Sequence, residues 1–319
     1  MRALVTGGAG YLGSNLVDLL LEQGYEVAVL DNLSTGSVTN LAHCLERIRF
    51  INGSILDAEL VEREVAQTDQ VFHLAAAVGV KHIVDRPLEA LLTNTRGTEI
   101  VLGACFKYWR RVLVASTSEV YGKTTKVPMS EDDDRVLGST KVHRWNYSTA
   151  KALDEHLAFA YADLGLPVSV VRYFNSYGPR IHPGGYGSVV ASFLGRAVAG
   201  EPLVVYGDGT QSRCFTYVDD TVSGTFLAGT RKEAIATVVN LGNPVETTIN
   251  ELAERVLTLV GSDAGIRYVG YEQFYGRSFA DTKRRVPDVS RARELLGWQT
   301  SVDLEEGLSR TLEWWKQTH

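Results

Sequence analysis

The sequence predicts an α/β fold, a doubly wound parallel sheet followed by a smaller C-terminal α+β region. Three observations carry this. Short apolar, β-branched runs alternate with helical patterns through the first half of the chain. Those runs are apolar almost throughout, as strands covered on both faces must be. After Phe174 the regularity falls, glycine, proline and tyrosine cluster, and the strands shorten.

Each element has its own local reason. Ala3-Leu4-Val5-Thr6 is the first strand and ends at Gly7. A helix from Tyr11 to Gln23 follows, with leucines at 12, 16, 19 and 20, and Gly24 where a helix C-terminus favours glycine. Glu26 to Leu30 is the second strand, closed by Asp31, and Ile48 to Ile51 the third. Asp57 to Gln67 is helical, and Gln70 to Leu74 is the fourth strand. Pro87, well placed in a first helical turn, opens a long helix to about Trp109. Arg111 to Ala115 is the fifth strand, Tyr147 to Leu164 a helix stopped by Gly165 and Pro167, and Val168 to Arg172 the sixth strand.

Composition narrows the function. The chain has 319 residues and a net charge of −6, with no basic surplus for a nucleic-acid partner. No apolar run approaches membrane-spanning length. The N-terminus runs straight into a strand pattern, leaving no room for a signal peptide. Cys44, Cys105 and Cys214 are scattered, without metal-ligand spacing, and suit a cytoplasmic location without disulfides. No metal is expected, and Ser130-Glu131-Asp132-Asp133-Asp134 reads as a solvated acidic loop.

Gly7-Gly8-Ala9-Gly10-Tyr11-Leu12-Gly13 lies between the first strand and first helix. Glycine there allows a tight turn and a close backbone approach to a pyrophosphate, toward which the helix N-terminus points its partial positive charge. Asp31, 18 residues beyond Gly13, can accept both adenosine ribose hydroxyls and would repel a 2′-phosphate, which favours NAD over NADP. Asp57 can hold the adenine amino group or cap its helix, and the two are compatible. His73 is expected to be a packed core histidine. Small residues follow it, in Leu74-Ala75-Ala76-Ala77, where a cofactor backbone would pass.

Tyr147 and Lys151 stand at i and i+4 on one helix face. A free phenol, with a pKa near 10, is a poor base, and lowering it by about three units needs roughly 4 kcal/mol from nearby positive charge. Ser116-Thr117-Ser118-Glu119 lies just beyond the fifth strand, where open parallel sheets bind ligands. The hydroxyls of Thr117 and Ser118 suit a sugar hydroxyl, and Glu119 is a candidate acid or base.

With Asn94 and Gly97-Thr98, Arg172 to Arg180, Val205 to Arg213 and Leu296-Gly297-Trp298, these motifs span essentially the whole chain. It resembles the extended short-chain dehydrogenases/reductases, the NAD-dependent epimerase/dehydratase family acting on nucleotide sugars. The resemblance implies a Rossmann NAD-binding domain over 1–175 and a nucleotide-sugar domain over 176–319, with the chain crossing back around 215–235. It implies a homodimer through a four-helix bundle. It assigns the cofactor to Gly7, Gly10, Tyr11, Leu12 and Gly13 of the loop and to Asp31, Asn32, Ser34 and Gly36 beyond the second strand. Ile55, Asp57, Leu74, Ala75, Ala76, Asn94, Ser116, Tyr147, Lys151 and Tyr173 complete that set. A UDP-sugar would meet Lys81, Thr117, Ser118, Glu119, Tyr147, Asn175, Arg180, Val189, Val205, Tyr206, Arg213 and Arg285. By the same resemblance Tyr147 removes the C4 hydroxyl proton, Thr117 holds that hydroxyl, the C4 hydride moves to NAD⁺, and Lys151 bonds the nicotinamide ribose. Asn175 and Arg213 would hold the diphosphate.

The second step stays open among three outcomes of a 4-keto sugar. Thr117-Ser118-Glu119-Val120-Tyr121-Gly122 and Arg285-Val286-Pro287-Asp288 are similar to UDP-glucuronate decarboxylases, and this reading is favoured. Asp31-Asn32-Leu33-Ser34-Thr35-Gly36 is more like 4-epimerases. 4,6-Dehydration and a non-catalytic NAD-binding regulatory role are the remaining alternatives.

Overall fold

The computed structural model describes residues 1–79, 85–181, 188–270 and 282–318. Its centre is a parallel sheet of seven strands. Six follow the predicted runs: β1 (Arg2–Thr6), β2 (Glu26–Asp31), β3 (Ile48–Asn52), β4 (Gln70–His73), β5 (Arg111–Thr117) and β6 (Val168–Tyr173). The short strands β7 (Ser176–Tyr177), β8 (Leu203–Tyr206), β9 (Ser212–Arg213) and β10 (Thr216–Tyr217) come next. β11 (Val238–Leu241) then returns to pair with β6, so the sheet order is β11-β6-β5-β4-β1-β2-β3. This seventh strand comes from the part of the sequence read as an irregular second region. It is only four residues long and carries no signal that separates it from a loop-bound strand.

The helices explain the near-continuous apolar strands. α1 (Tyr11–Glu22), α2 (Ala58–Ala66), α3 (Pro87–Tyr108) and α4 (Arg144–Asp163) belong to the first half. α5 (Val189–Val198), α6 (Val218–Thr230), α7 (Ile249–Val260), α8 (Ser290–Leu296) and α9 (Leu304–Thr318) complete the set described. In β1, Leu4 faces a core shared with Val101 and Leu102 of α3 and Ala158 of α4. Its neighbours Ala3 and Val5 face the opposite core, with Leu16 of α1 and Val222 of α6. Both faces are dry, so no polar alternation survives.

The second core does not end at the sheet. It runs on through Phe193 of α5, Val205 of β8 and Leu252 of α7, so the C-terminal region shares one apolar interior with the sheet. β8 pairs in parallel with β13 (Ile266–Val269), and β9 pairs antiparallel with β12 (Thr247–Thr248). α7 opens with a reciprocal capping box between Thr248 and Glu251 and closes at Gly261. α4 starts at Arg144, earlier than its apolar pattern indicates, which puts Tyr147 in its first turn.

The acidic loop departs from expectation. Glu131 is buried, accepts the Asn240 backbone N–H at 2.8 Å, and its own carbonyl accepts from Arg172 at 3.0 Å. Burial pushes its carboxyl above the usual range, against that backbone hydrogen bond. The solvent-facing acids are Asp132 and Asp134, while Asp133 is largely out of solvent, receives the Ser130 N–H and pairs with Lys126.

Candidate active site

The glycine loop, Asp31, Leu74, Thr117 and Tyr173 lie at or just beyond the carboxyl ends of β1, β2, β4, β5 and β6, the edge where open parallel sheets bind ligands. The loop after β1 is packed to backbone distance. A side chain on Gly13 would put its Cβ 2.1 Å from the Gly7 carbonyl oxygen. Gly7, at φ +73°, would meet the Ala75 nitrogen at 2.7 Å. Gly36 closes the other side, with its would-be Cβ 2.7 Å from the Ala9 carbonyl carbon. Gly10 caps α1 without any side-chain hydrogen bond, and the first turn has no acid. The helix therefore presents N–H groups and partial positive charge to whatever lies in front of the loop, which fits the diphosphate of a dinucleotide.

Asp31 closes this cradle. Its Oδ2 accepts the Ala9 N–H at 2.9 Å and its Oδ1 the Leu33 N–H at 2.8 Å. Burial raises the carboxyl and the two N–H groups pull it back. Each oxygen keeps a lone pair for a hydroxyl. Asn32 and Ser34 are exposed and turn on themselves, Ser34 N–H to Asn32 Oδ1 at 3.1 Å. Asp57 caps α2 through the Leu60 N–H at 3.0 Å. Leu12, Leu74, Ala75 and Ala76 are half-buried around the loop.

Several side chains expected at the cofactor serve the scaffold. Asn94 is buried and clamps Ala77 by both its N–H (2.7 Å) and its carbonyl (3.1 Å), shaping the loop after β4. Ile55 is buried against Gly97, whose Cβ would come within 2.4 Å of its Cδ1. The Tyr11 hydroxyl bonds Ser176 at 3.1 Å, and that of Tyr173 bonds Thr225 at 2.9 Å. Both phenols are pushed up by burial. Ser116 donates to Glu155, which also takes two hydrogen bonds from Arg172.

The reactive residues stand close by. Thr117 ends β5, and its Oγ1 accepts the Glu119 N–H at 3.2 Å, capping a short turn over Ser118–Tyr121. Accepting that bond leaves the hydroxyl able to donate its own proton. α4 packs on β5 and on this turn. Tyr147, half-buried, lies against Ala77 and Ala90. Lys151 is buried one turn further on, with Nζ 2.8 Å from Asp154 Oδ2. His73 is fully buried between Thr6 Oγ1 at 2.8 Å and Thr98 Oγ1 at 3.0 Å. Burial first, and the Lys151 charge second, push its pKa down to about 3, so it is a neutral structural group.

Glu119 and Arg285, 166 residues apart, form an ion pair at 2.8 Å with both side chains largely out of solvent. The segment carrying Arg285 is stitched to the turn after β5. Thr282 Oγ1 donates to the Gly122 carbonyl at 2.9 Å, and Met129 N–H donates to the Val286 carbonyl at 2.8 Å. Arg213 donates to the Ser212 and Thr282 carbonyls at 2.7 and 2.9 Å. Asn175, at φ +39°, donates to the Cys214 carbonyl at 3.3 Å.

Two substrate expectations need correction. Val205 is fully buried in the apolar core, because alternation along β8 turns its side chain inward and leaves Tyr206 half-exposed. Arg180 pairs with Asp18 of α1 at 2.6 Å, on the helix behind the glycine loop. Val189 opens α5 half-buried against the core. Lys81 lies outside the described residues. Asp154 and Glu155 were not singled out from the sequence, and Thr98 only as part of the Gly97-Thr98 motif. The i,i+3 spacing of Lys151 and Asp154 was visible there, but their burial was not.

A family model described as GDP-mannose 4,6 dehydratase matches residues 4–311. The chain is 42% identical over 316 residues to a UDP-N-acetyl-alpha-D-glucosaminuronate decarboxylase of Bacillus cytotoxicus, covering 99% of this chain and 98% of that protein. It is 39% identical to UDP-glucuronic acid decarboxylase 1 of Danio rerio, covering 99% of this chain and 73% of the relative. Among solved structures, a UDP-glucose 4-epimerase from Thermotoga maritima with UDP-glucose aligns at TM-score 0.90 and 37% identity, over 100% of this chain and 99% of the other. A dTDP-glucose 4,6-dehydratase from Streptomyces venezuelae, solved with NAD bound, aligns at TM-score 0.90 and 32% identity, over 100% and 98%.

Proposed function

Because the chain belongs to the GDP-mannose 4,6 dehydratase family of NAD-dependent nucleotide-sugar enzymes, we propose that it decarboxylates a UDP-linked uronic acid, with UDP-glucuronate giving UDP-xylose as the first case. The observation that carries this reading is the Glu119–Arg285 pair beside Thr117. A uronate carboxylate needs a fixed cation in a partly dry site. Arg285 is such a cation, and among the described residues it pairs with the Glu119 carboxylate, whose place an incoming one can take in two-pronged geometry. The two decarboxylase relatives support the same reaction class.

The glycine loop, the N-terminus of α1 and Asp31 would hold NAD, which when bound supplies the two-electron acceptor for C4 and returns the electrons at the end. Tyr147 takes the C4 hydroxyl proton, helped by the Lys151 ammonium one turn away. Thr117 uses its O–H to hold that oxygen. With a ketone at C4 the C6 carboxylate belongs to a β-keto acid. The C5–C6 bond breaks, CO₂ leaves, and the electron pair passes to the C4 oxygen as an enolate, hydrogen-bonded by the now protonated Tyr147 and by Thr117. Glu119 positions the water that returns a proton to C5. Arg213 and Asn175 serve the diphosphate.

A 4-epimerase is the second reading, favoured by the likeness to the Thermotoga maritima structure. One experiment separates them. Purified protein with NAD⁺ is given UDP-glucuronate, and in parallel UDP-N-acetylglucosaminuronate, and products are followed by NMR with CO₂ capture. CO₂ with a pentose product is expected. A C4 epimer that keeps its carboxylate would overturn decarboxylation, and no turnover of any UDP-sugar would favour the regulatory alternative.

We also infer a homodimer through α3 and α4. Leu88 and Leu92 are 68% and 47% exposed one turn apart on α3, and Leu153 of α4 is 46% exposed. Exposed apolar side chains on two helices that pack side by side suit a helix-bundle interface. Among the described residues no helix is long and apolar enough to cross a membrane. A cytoplasmic place, proposed from the scattered free cysteines, is compatible with that.

A further inference from the structure

One buried acid beside the reactive pair has no role in the reaction above. Asp154 lies three residues along α4 from Lys151, and the two side chains are 0% and 3% exposed. Asp154 Oδ2 accepts from Lys151 Nζ at 2.8 Å. Its Oδ1 meets no hydrogen-bond donor in bonding geometry among the described residues. The Thr98 hydroxyl, which also bonds His73, lies beside the same carboxylate.

Such a pair is an expensive way to hold a helix down. Removing both ions from water costs several kcal/mol, and well-packed apolar residues often serve stability as well or better. A fixed ammonium has a use here, because an ammonium on a free four-carbon stem would wander. Lys151 has three donors, and Asp154 occupies one. Among the described residues, the surrounding groups are uncharged or already paired. β4 offers neutral His73, and α3 offers Thr98 and Asn94. β5 offers the Ser116 and Thr117 hydroxyls, α4 itself carries Glu155 bound to Arg172 of β6, and the turn after β5 carries Glu119 bound to Arg285.

We propose that Asp154 is the positioning residue for Lys151: it anchors the ammonium and offsets part of its charge, and so sets the pH range in which Tyr147 accepts the substrate proton. This rests on the assignment of Tyr147 and Lys151 made above. The sign follows from electrostatics. Without the Asp154 charge, Lys151 acts unopposed on Tyr147, the phenolate is favoured, and the acid limb of activity moves down.

The test is the pH profile of kcat/KM for Asp154→Asn holoenzyme with UDP-glucuronate. The acid limb is expected about one pH unit below wild type. An unmoved limb with only a lowered Tm would make Asp154 structural and overturn the proposal. Asp154→Ser, which leaves room for a water on Lys151, is measured in parallel, and failure of both variants to fold would likewise assign the carboxylate to stability alone. Tyr147→Phe separates the two layers. Retained activity in that variant would sink the shared assignment and this proposal together. An inactive Tyr147→Phe with an unmoved Asp154→Asn limb would sink only the role of Asp154.

Discussion

At the scale of single residues, what the chain announces are pairs that helix or turn geometry brings together. Tyr147 and Lys151 are one such pair, because positions four apart share a helix face whatever the rest of the fold does. Thr117 and the Glu119 N–H are another, within a single turn. Replacing Tyr147 by Phe removes the proton acceptor and should lower kcat by about 10²- to 10⁴-fold at unchanged fold, measured by product formation and circular dichroism. Arg285 is a different case. Its Arg-x-Pro-Asp context suggested a substrate cation, yet its partner Glu119 is 166 residues distant and nothing local links them. Arg285→Gln should reduce kcat/KM for the uronate by about 10- to 100-fold, the value of a charge-assisted hydrogen-bonded contact. An equal loss with a neutral UDP-sugar would place Arg285 on the diphosphate instead.

At the scale of elements, six strands and the four helices of the first half were legible because each buries a continuous or periodic apolar set. The boundary of α4 was missed by three residues, since Arg144 and Trp145 carry no capping signal and the helix has no side-chain cap. The glycine loop was legible from its spacing, but the reason for each glycine was not. Gly13 is needed because the Gly7 carbonyl oxygen occupies the place of its Cβ. Gly13→Ala should therefore shift the loop against α1, cost about 1–3 kcal/mol of stability, and weaken NAD⁺ binding, read by chemical denaturation and by fluorescence titration.

At the scale of the whole molecule, two consequences can be measured. His73 is held neutral in the fold, with its pKa at about 3 against an ordinary value of 6.5. An unfolded chain takes up a proton there below pH 6.5 and the folded chain does not. Stability is thus fully present above pH 6.5 and is lost as pH falls from there toward 3. This group alone should remove about 2 kcal/mol between neutral pH and pH 5. Urea unfolding at pH 7.5 and 5.5 checks it, with His73→Gln losing less on acidification than wild type. The second consequence concerns assembly. Leu92→Arg places a charge at an exposed apolar position of α3, and should convert the proposed dimer to a monomer in sedimentation experiments.

The sequence by itself determined the alternation of strands and helices, the glycine loop with Asp31, and the Tyr147–Lys151 pair. All of these depend on periodicities of two to four residues or on one turn's worth of chain. Tertiary structure alone decided that Val238–Leu241 becomes the seventh strand, that Glu131 is buried, and that Val205 faces the core. It also decided that Arg285 meets Glu119 while Arg180 turns to Asp18. The physical reason is common to them. An ion pair, an edge strand or a buried acid is stabilised by groups far away in the chain, and no local pattern encodes which distant group arrives.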